Sequence, residues 1–355
     1  MLTPSQKLNP KLFDADVEQV PIRKGFGDGL LKAAEMDKRV VGLCADLTES
    51  TQMLKFREKF PERFIEIGVA EQNLVTVASG MAAMGKIPFV SSYAVFSPGR
   101  NWEQIRTTVC YNNRPVKIAG SHAGVSVGPD GGSHQALEDI AITRVLPRMV
   151  VISPCDAIEA KKATMAAAKT ADPTYIRLAR EKTPIITTED TPFEIGKAAI
   201  VFRTEDGARS TKQGERISRP ERRVDAGHGG ENGSVGIIAT GALLFKALKV
   251  AKKLEAEGKR VIVMNLATIK PLDEEAIIKL AQETRALVTV EEHQTKGGMG
   301  SAVAECLAAH FPVPIEFIGV KDQFGQTGTP SELLEHYGMG EDHIYAAAQR
   351  VMLRK

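Results

Sequence analysis

The chain has 355 residues, with 46 lysines and arginines against 44 aspartates and glutamates. This length is enough for about two domains of ordinary size. Because the charges nearly balance, nothing favours binding to nucleic acid or to an anionic membrane surface. The four cysteines lack the paired spacing of metal sites, and the chain shows neither a signal sequence nor a long apolar run. These features predict a cytoplasmic protein with reduced thiols that acts on small molecules.

In the first half of the chain, short β-rich runs alternate with helical patterns. The predicted strands are Val40–Cys44, Phe64–Ile67, Pro88–Val90, Val116–Ala119, Met149–Ile152 and Tyr175–Leu178. Alternation of this kind is typical of an α/β fold, in which helices cover both faces of a largely parallel, doubly wound sheet.

A second series of the same kind follows, with predicted strands near 235–239, 261–265, 286–291 and 315–318. We therefore expect an N-terminal extension (1–20) and two doubly wound domains, 21–186 and 187–355. The glycine-rich stretch 297–300 opens a predicted helix, where it allows either tight packing, which we favour, or binding of an anion. Residues 203–234 carry seven basic and six acidic residues and little apolar surface. We predict a mobile, solvated insertion there, with a partner-binding arm as the alternative.

The segment Gly68-Val69-Ala70-Glu71-Gln72-Asn73 ends an apolar strand and opens a helix of small residues. Glu71 is an ordinary first-turn acid facing the helix dipole or, because its neighbours are small and apolar, a buried carboxyl group that shares a proton. Further along, Tyr93 and Phe96 form an aromatic pair. Their spacing suits either two core residues or the flat wall of a pocket.

The loop Ser121–His134 combines His122, Asp130 and His134 with many glycines. Two histidines and a carboxylate suit a metal site. The same side chains can also hydrogen-bond to sugar hydroxyls and transfer protons near neutral pH, and the residues alone leave both interpretations open.

Together, the 68–73 segment, the aromatic pair and the 121–134 loop resemble the pyrimidine-binding half of transketolase, a thiamine diphosphate enzyme. The resemblance extends from about Pro21 to Lys355, apart from the charged insertion. It implies that Glu71 engages the aminopyrimidine of the cofactor, that Tyr93 and Phe96 flank this ring, and that Asp46 lies beside the bound cofactor.

The resemblance also implies a set of substrate contacts. Arg23, Ser50, His122 and Arg180 would grip the substrate phosphate, and Arg suits this role because its planar fork matches phosphate oxygens. Asp130 would bind a sugar hydroxyl, and His134 would contact the reacting end. Taken singly, each residue of the phosphate grip is more often a surface or capping residue than a ligand, so their joint presence in register carries the expectation.

Gly27-Asp28-Gly29 looks like the start of the magnesium and diphosphate site of thiamine enzymes, but the asparagine pair expected about 25 to 30 residues later is missing. We instead assign these glycines to the first helix. The magnesium ligands and the diphosphate-binding domain are therefore expected on a partner, the N-terminal subunit of a split transketolase. We expect two copies of each chain around twofold axes.

The implied reaction transfers a two-carbon ketol unit from a ketose phosphate to an aldose phosphate, and the chain alone should be inactive. Three alternatives remain at this point. They are the beta subunit of a 2-oxo-acid dehydrogenase, a deoxyxylulose phosphate synthase-like enzyme, and a non-catalytic half that serves as a scaffold or regulatory subunit.

Overall fold

A computed structural model describes residues 1–204 and 233–355. The predicted insertion, 203–234, therefore lies almost entirely outside the described residues. Within the described ranges, no helix has both the length and the apolar character that crossing a membrane requires.

The first sheet has seven strands in the order β12-β6-β7-β5-β4-β2-β3. These are β2 (Val40–Cys44), β3 (Phe64–Glu66), β4 (Ile87–Tyr93), β5 (Lys117–Ser121), β6 (Val150–Ile152), β7 (Thr174–Arg177) and β12 (Thr268–Lys270). All neighbouring pairs are parallel except β12 and β6. The central strands are buried on both faces, which is why they appear in the sequence as continuous apolar runs. The mostly parallel α/β architecture predicted for this half is confirmed.

The second sheet has five strands in the order β14-β13-β10-β11-β9. They are β9 (Ala199–Arg203), β10 (Ser234–Ala239), β11 (Arg260–Asn265), β13 (Leu287–Gln294) and β14 (Ile315–Val320). Only β9 runs antiparallel to its neighbour. Because β12 comes from the second half of the chain but pairs with the first sheet, the proposed boundary at residue 186 does not separate all strand pairing.

Helices cover these sheets, and a small antiparallel pair, β1 (Gln19–Pro21) with β8 (Lys182–Pro184), closes the first half. The helices are α1 (Ile22–Met36), α2 (Leu54–Lys59), α3 (Glu71–Ala83), α4 (Trp102–Gln104), α5 (Asp139–Arg144), α6 (Ala157–Ala168), α7 (Leu244–Ala256), α8 (Glu274–Thr284), α9 (Met299–His310), α10 (Pro330–His336) and α11 (Glu341–Met352). Local sequence sets several of their starts. Asp156 and Asp273 cap α6 and α8 through side-chain oxygens, and Thr329 with Glu332 forms a capping box at α10.

Glycines in α1 allow it to lie directly against its neighbours. A Cβ atom on Gly25 would overlap the backbone of Ala157 in α6, and one on Gly29 would come 2.7 Å from the carbonyl oxygen of Lys161. A glycine inside a helix costs about 1 kcal/mol relative to alanine. Close helix packing therefore explains why α1 contains these residues, and the predicted position of the glycines in the first helix is confirmed.

At the glycine-rich start of α9, the place of an anion is taken by a carboxylate of the protein itself. The Glu291 carboxylate accepts hydrogen bonds from the backbone nitrogens of Met299 (2.7 Å) and Gly300 (2.8 Å). A Cβ on Gly298 would overlap this carboxylate. The favoured interpretation, tight packing at this helix start, is confirmed.

The N-terminal segment is part of the second core. Leu8 and Leu12 are buried among the side chains of β9, β10 and β11. Leu2 also forms a bridge to Phe202 in β9, so this segment covers an edge of the second sheet.

Candidate active site

The carboxyl ends of the first sheet's parallel strands bring most of the predicted site residues to one edge. Asp46 follows β2, Glu71 follows β3, Tyr93 ends β4, His122 follows β5 and Arg180 follows β7. In open parallel sheets this edge is where ligands bind. Residues that are more than a hundred positions apart in the sequence therefore lie on one surface.

Glu71 is buried at the first turn of α3, with a side chain 4% exposed. Its carboxylate receives two hydrogen bonds from Arg100, at 3.3 and 3.2 Å, and its backbone carbonyl accepts one from Asn101 at 2.9 Å. Arg100 is itself 52% exposed and lies over the Phe96 ring, 4.1 Å from the centroid. One arginine thus connects the buried carboxylate to the aromatic pair.

The aromatic pair and the two histidines form a single ring cluster. Tyr93 and Phe96 are nearly parallel, with centroids 6.1 Å apart, and Tyr93 stacks on His122 at 3.9 Å. His134 meets the Phe96 ring edge-on at 5.4 Å. The Nδ1 atoms of His122 and His134 each pair with the preceding serine hydroxyl, at 2.8 and 2.9 Å, which fixes both ring orientations. The cluster offers a flat, half-buried wall rather than an isolated core pair.

Positive groups converge beside this wall. The Arg23 guanidinium donates to the carbonyl oxygens of Ser50 (2.5 Å) and Arg180 (3.3 Å). Arg180 donates to the Val127 carbonyl at 2.6 Å and pairs with Asp130 at 3.3 Å. Predicted phosphate-binding residues from three separate segments are therefore in contact.

Burial and neighbouring positive charge lower the pKa values of two of these side chains. Burial, then the charges of Arg23 and Arg180, lowers the pKa of His122 to about 3. Burial and the neighbouring Arg180 also lower the pKa of Arg23. Arg180 also pairs with Glu181 at 3.8 Å, so two carboxylates face the two guanidinium groups, and an anion entering the cluster would compete with them for Arg180.

Asp46 lies in a loop that is tied to the segment leading into α3. Its backbone nitrogen donates to the Glu66 carboxylate at 2.7 Å, and this carboxylate also accepts from Thr48 Oγ1 (3.1 Å) and from the Gly68 nitrogen (3.0 Å). Glu66 therefore holds the Asp46 loop and the turn before Glu71 together.

The alternative metal interpretation of the 121–134 loop finds no geometric support. Among the described residues, the one group of potential metal ligands does not include His122, Asp130 or His134. Asp28, from the Gly-Asp-Gly stretch, lies on α1 and pairs with Lys24 (2.9 Å) and Lys55 (3.4 Å). It therefore has the surroundings of an ion-paired surface residue.

Residues from the second half of the chain support the loop Ser121–His134. The sequence analysis did not assign this role. The Glu292 carboxylate accepts from the backbone nitrogen of Ser126 at 2.6 Å. Gln135 donates to the carbonyl oxygens of Val125 (3.2 Å), Gly128 (3.3 Å) and Gln326 (3.0 Å). In the sequence, Glu292 was marked as a residue that needs polar partners because it belongs to the charged run 291–293 inside an apolar strand.

A buried ion pair lies beneath the same loop. Arg177 contacts Asp139 at 2.8 Å, and the same carboxylate accepts from the Tyr175 hydroxyl at 2.7 Å. Arg177 also donates to the backbone carbonyl of Glu292 at 2.7 Å. Because both charges are buried and hydrogen-bonded, the pair fixes the junction between β7, α5 and β13.

The side chains of this edge fit thiamine diphosphate, whose pyrimidine end requires a buried carboxyl group beside flat apolar surface. Glu71 supplies the carboxyl group, and its side-chain partner, Arg100, is half exposed and can be displaced. Tyr93 and Phe96 supply the flat surface.

Comparison with known proteins agrees with this arrangement. Residues 18–185 match the transketolase pyrimidine-binding domain, and residues 228–344 match the transketolase C-terminal domain. The chain therefore belongs to the transketolase family and carries the pyrimidine-binding and C-terminal domains of that family. The predicted resemblance and fold class are confirmed.

The similar curated proteins include separate subunits of about the same length. The chain is 40% identical to the putative transketolase C-terminal section of Methanocaldococcus jannaschii, covering 93% of this chain and 95% of that protein. It is 36% identical to the 6-deoxy-6-sulfo-D-fructose transketolase subunit SqwH of a Clostridium species, covering 97% and 98%. Human transketolase is 32% identical over 95% of this chain, which spans 50% of that protein.

Solved structures give the same picture. A split-gene transketolase described as an inactive beta4 tetramer is 40% identical, with a TM-score of 0.81 over 95% of this chain and 99% of that chain. Campylobacter jejuni transketolase, at 18% identity, has a TM-score of 0.72 over 94% of this chain and 49% of that chain, and it shows the shared fold.

Proposed function

We propose that this chain is the C-terminal subunit of a two-chain transketolase and acts with thiamine diphosphate to move a two-carbon ketol unit from a ketose phosphate to an aldose phosphate. The observation that carries the proposal is the cation cluster, which consists of the guanidinium groups of Arg23 and Arg180 beside the neutral imidazole of His122, at the same sheet edge as buried Glu71. This arrangement supports a carboxyl group for the cofactor and an anion grip for the substrate at the same edge of the sheet.

Each group of the site has a distinct part in the proposed reaction. Thiamine diphosphate, when bound, supplies the carbanion stabilisation that breaking and forming carbon–carbon bonds requires. Glu71 holds the pyrimidine end through a shared proton, while Tyr93 and Phe96 form its apolar wall. His134 moves protons at the oxygen atoms of the reacting end, and Asp130 orients a sugar hydroxyl.

The anionic end of the substrate is held away from the reacting carbon atoms by Arg23, Ser50, His122 and Arg180. Fixing both ends orients the carbonyl group, which removes much of the entropic barrier to reaction. The relative named for 6-deoxy-6-sulfo-D-fructose is 36% identical over 97% of this chain. Because a guanidinium fork also suits a sulfonate, a sulfo-sugar is the second substrate class to test.

A partner subunit is part of the proposal. Relatives named as sections or subunits have the length of this chain, and the similar beta4 tetramer is described as inactive. We infer that an N-terminal subunit supplies the diphosphate-binding domain and the Mg²⁺ ligands, with two copies of each chain. The division at 21–186 and 187–355 also belongs to this proposal, as does a cytoplasmic location, which four unpaired thiols support.

The cation cluster also separates this function from the alternatives. A 2-oxo-acid dehydrogenase beta subunit has no phosphorylated sugar to grip, and a non-catalytic scaffold needs neither the buried Glu71 nor the ring cluster. A deoxyxylulose phosphate synthase is 33% identical to this chain, which is less than the 40% and 36% of the transketolase section and subunit that match over nearly their whole length. A separate subunit with an intact site fits transketolase best.

The test is reconstitution. The purified full chain is mixed with an N-terminal transketolase subunit, thiamine diphosphate and Mg²⁺, and ketol transfer is followed with sugar phosphates, sulfo-sugars and uncharged sugars. We expect activity only in the mixture, with a much higher kcat/KM for charged than for uncharged substrates. Glu71→Gln should assemble normally but be nearly inactive, whereas the neighbouring exposed change Gln72→Glu should leave turnover unchanged. Full turnover in Glu71→Gln would refute the assigned role.

A further inference from the structure

Outside the candidate active site, α8 and α9 bring together three side chains that are potential metal ligands. Glu274 is the first residue of α8, while Cys306 and His310 lie one turn apart at the end of α9. One ligand atom from each residue lies within 4.8 Å of the other two. We propose that these residues bind a zinc-class divalent cation, which would connect the two helices of the second half.

The chemistry of the three ligands suits this ion. A thiolate, an imidazole nitrogen and a carboxylate oxygen are the donors that zinc accepts, and calcium or magnesium would not select a sulfur ligand. Three atoms no more than 4.8 Å apart share a point within about 2.8 Å of each. Zinc bonds to these atoms are about 2.0 to 2.3 Å long, so small side-chain rotations would complete the site.

The surroundings orient the ligands. His310 Nδ1 pairs with the backbone carbonyl of Cys306 at 2.9 Å. A histidine that donates one ring N–H to a carbonyl has the other nitrogen free for a metal, which is the usual arrangement in metal sites. The end of α9 also carries the negative pole of the helix, which favours a cation there.

The helices beneath the site are held by their common core. Ile277 and Ala281 of α8 and Val303 and Leu307 of α9 are buried in one hydrophobic cluster, to which Cys306 also belongs. Cys306 is buried, whereas Glu274 and His310 are exposed. The thiol therefore forms a fixed base and the exposed ligands can close on an ion that arrives from solvent.

Three protein ligands leave a fourth tetrahedral position for water or for a donor from another molecule. The site uses no residue of the proposed transketolase centre, so it does not depend on that function. Bound zinc would act on the second half of the chain as a link between α8 and α9.

The experiment titrates the chelator-treated full chain with Co²⁺, followed by absorbance, and with Zn²⁺ in competition with a chromophoric chelator. We expect one equivalent of tight binding, a sulfur-to-cobalt charge-transfer band, and a rise in the melting temperature with Zn²⁺. Cys306→Ser should abolish the band. Glu274→Gln and His310→Ala should each weaken zinc binding by at least about tenfold, since even outer partners of a metal site contribute that much.

Cys110→Ser and His343→Ala are the matched controls, because they remove a second buried thiol and a second helical imidazole outside the ligand group. Neither should change the band or the affinity. Because Glu274 is exposed, its glutamine variant should fold like the wild type and keeps the test valid if Cys306→Ser is unstable. Unchanged zinc affinity in Glu274→Gln and His310→Ala, equal losses in the controls, or no stoichiometric binding by the wild type would each overturn the proposal.

Discussion

Replacing Arg180 by alanine should selectively weaken the use of charged substrates by the reconstituted enzyme. The Arg180 guanidinium reaches the cation cluster from the end of β7 and is about one third exposed. A hydrogen bond to a charged group contributes about 1.5 to 3 kcal/mol. Losing this contact should therefore raise the Michaelis constant for sugar phosphates by about one to two orders of magnitude.

The division between KM and kcat follows from where the contact lies. The anionic end of the substrate keeps its charge throughout the reaction, so its binding contributes equally to the ground state and the transition state. We therefore expect KM to rise while kcat changes little. Arg180 also donates to the Val127 carbonyl and pairs with Asp130, so a drop in kcat would indicate that the substrate loop has moved.

A second measurement on the chain alone is independent of turnover. The charge of Arg180 is one cause of the lowered pKa of His122, so Arg180→Ala should raise that pKa from about 3. Histidine signals followed by NMR across a pH titration would report the change. Arg39→Ala is the matched control, because Arg39 is ion-paired with Asp37 on the surface and should affect neither measurement. Equal losses of kcat/KM on charged and uncharged substrates would refute the anion grip.

Three further predictions test other parts of the structure. The pKa of His122 is about 3 in the folded chain but near 6.5 in the unfolded chain, so the imidazole is protonated first in the unfolded state. The free energy of unfolding should therefore fall by about 1.4 kcal/mol per pH unit as the pH drops from 6.5 toward 3. Chemical denaturation at several pH values should show that His122→Gln lacks this part of the pH dependence. Gly25→Ala should lower the free energy of unfolding by about 1 to 3 kcal/mol, because its Cβ overlaps α6, whereas Gly80→Ala, which has open space, should not; equal stability would contradict the packing. Glu292→Ala should leave the Ser126 nitrogen unpaired and speed amide exchange in residues 124–134, and unchanged exchange there would remove Glu292 from the support of the loop.

The sequence predicted ten of the twelve strands in the two large sheets, because most of them are buried apolar runs between polar turns. The predicted strand 40–44 coincides with β2, and the other predicted strands overlap their observed counterparts. It did not predict β1, β8, β9 or β12. The strands β1, β8 and β12 have three residues each, and their pairing partners lie more than a hundred residues away, so no local periodicity marks them.

The sequence predicted the candidate-site residues that belong to motifs following strands. It did not predict the residues whose position in the site depends on tertiary contacts. Arg23, His122 and Arg180 were expected together from the family resemblance, and the structure places them in one cluster. Arg100 gave no such signal, because its pairing with Glu71 depends on the turn after β4 folding back over α3. Glu292 had a signal, since a charged run within a buried strand must find partners, but its partner could not be identified without the fold.

The second half of the chain supports the 121–134 loop of the candidate site. Glu292 holds Ser126, the Gln326 carbonyl receives Gln135, and a Cβ on Gly132 would overlap the backbone of Gly325. All three contacts act on the loop that carries His122, Asp130 and His134. Since a loop of this length has high entropy when unsupported, its ordered form depends on both halves. The pyrimidine-binding half expressed alone should therefore keep Glu71 and the aromatic pair but lose the ordered anion grip.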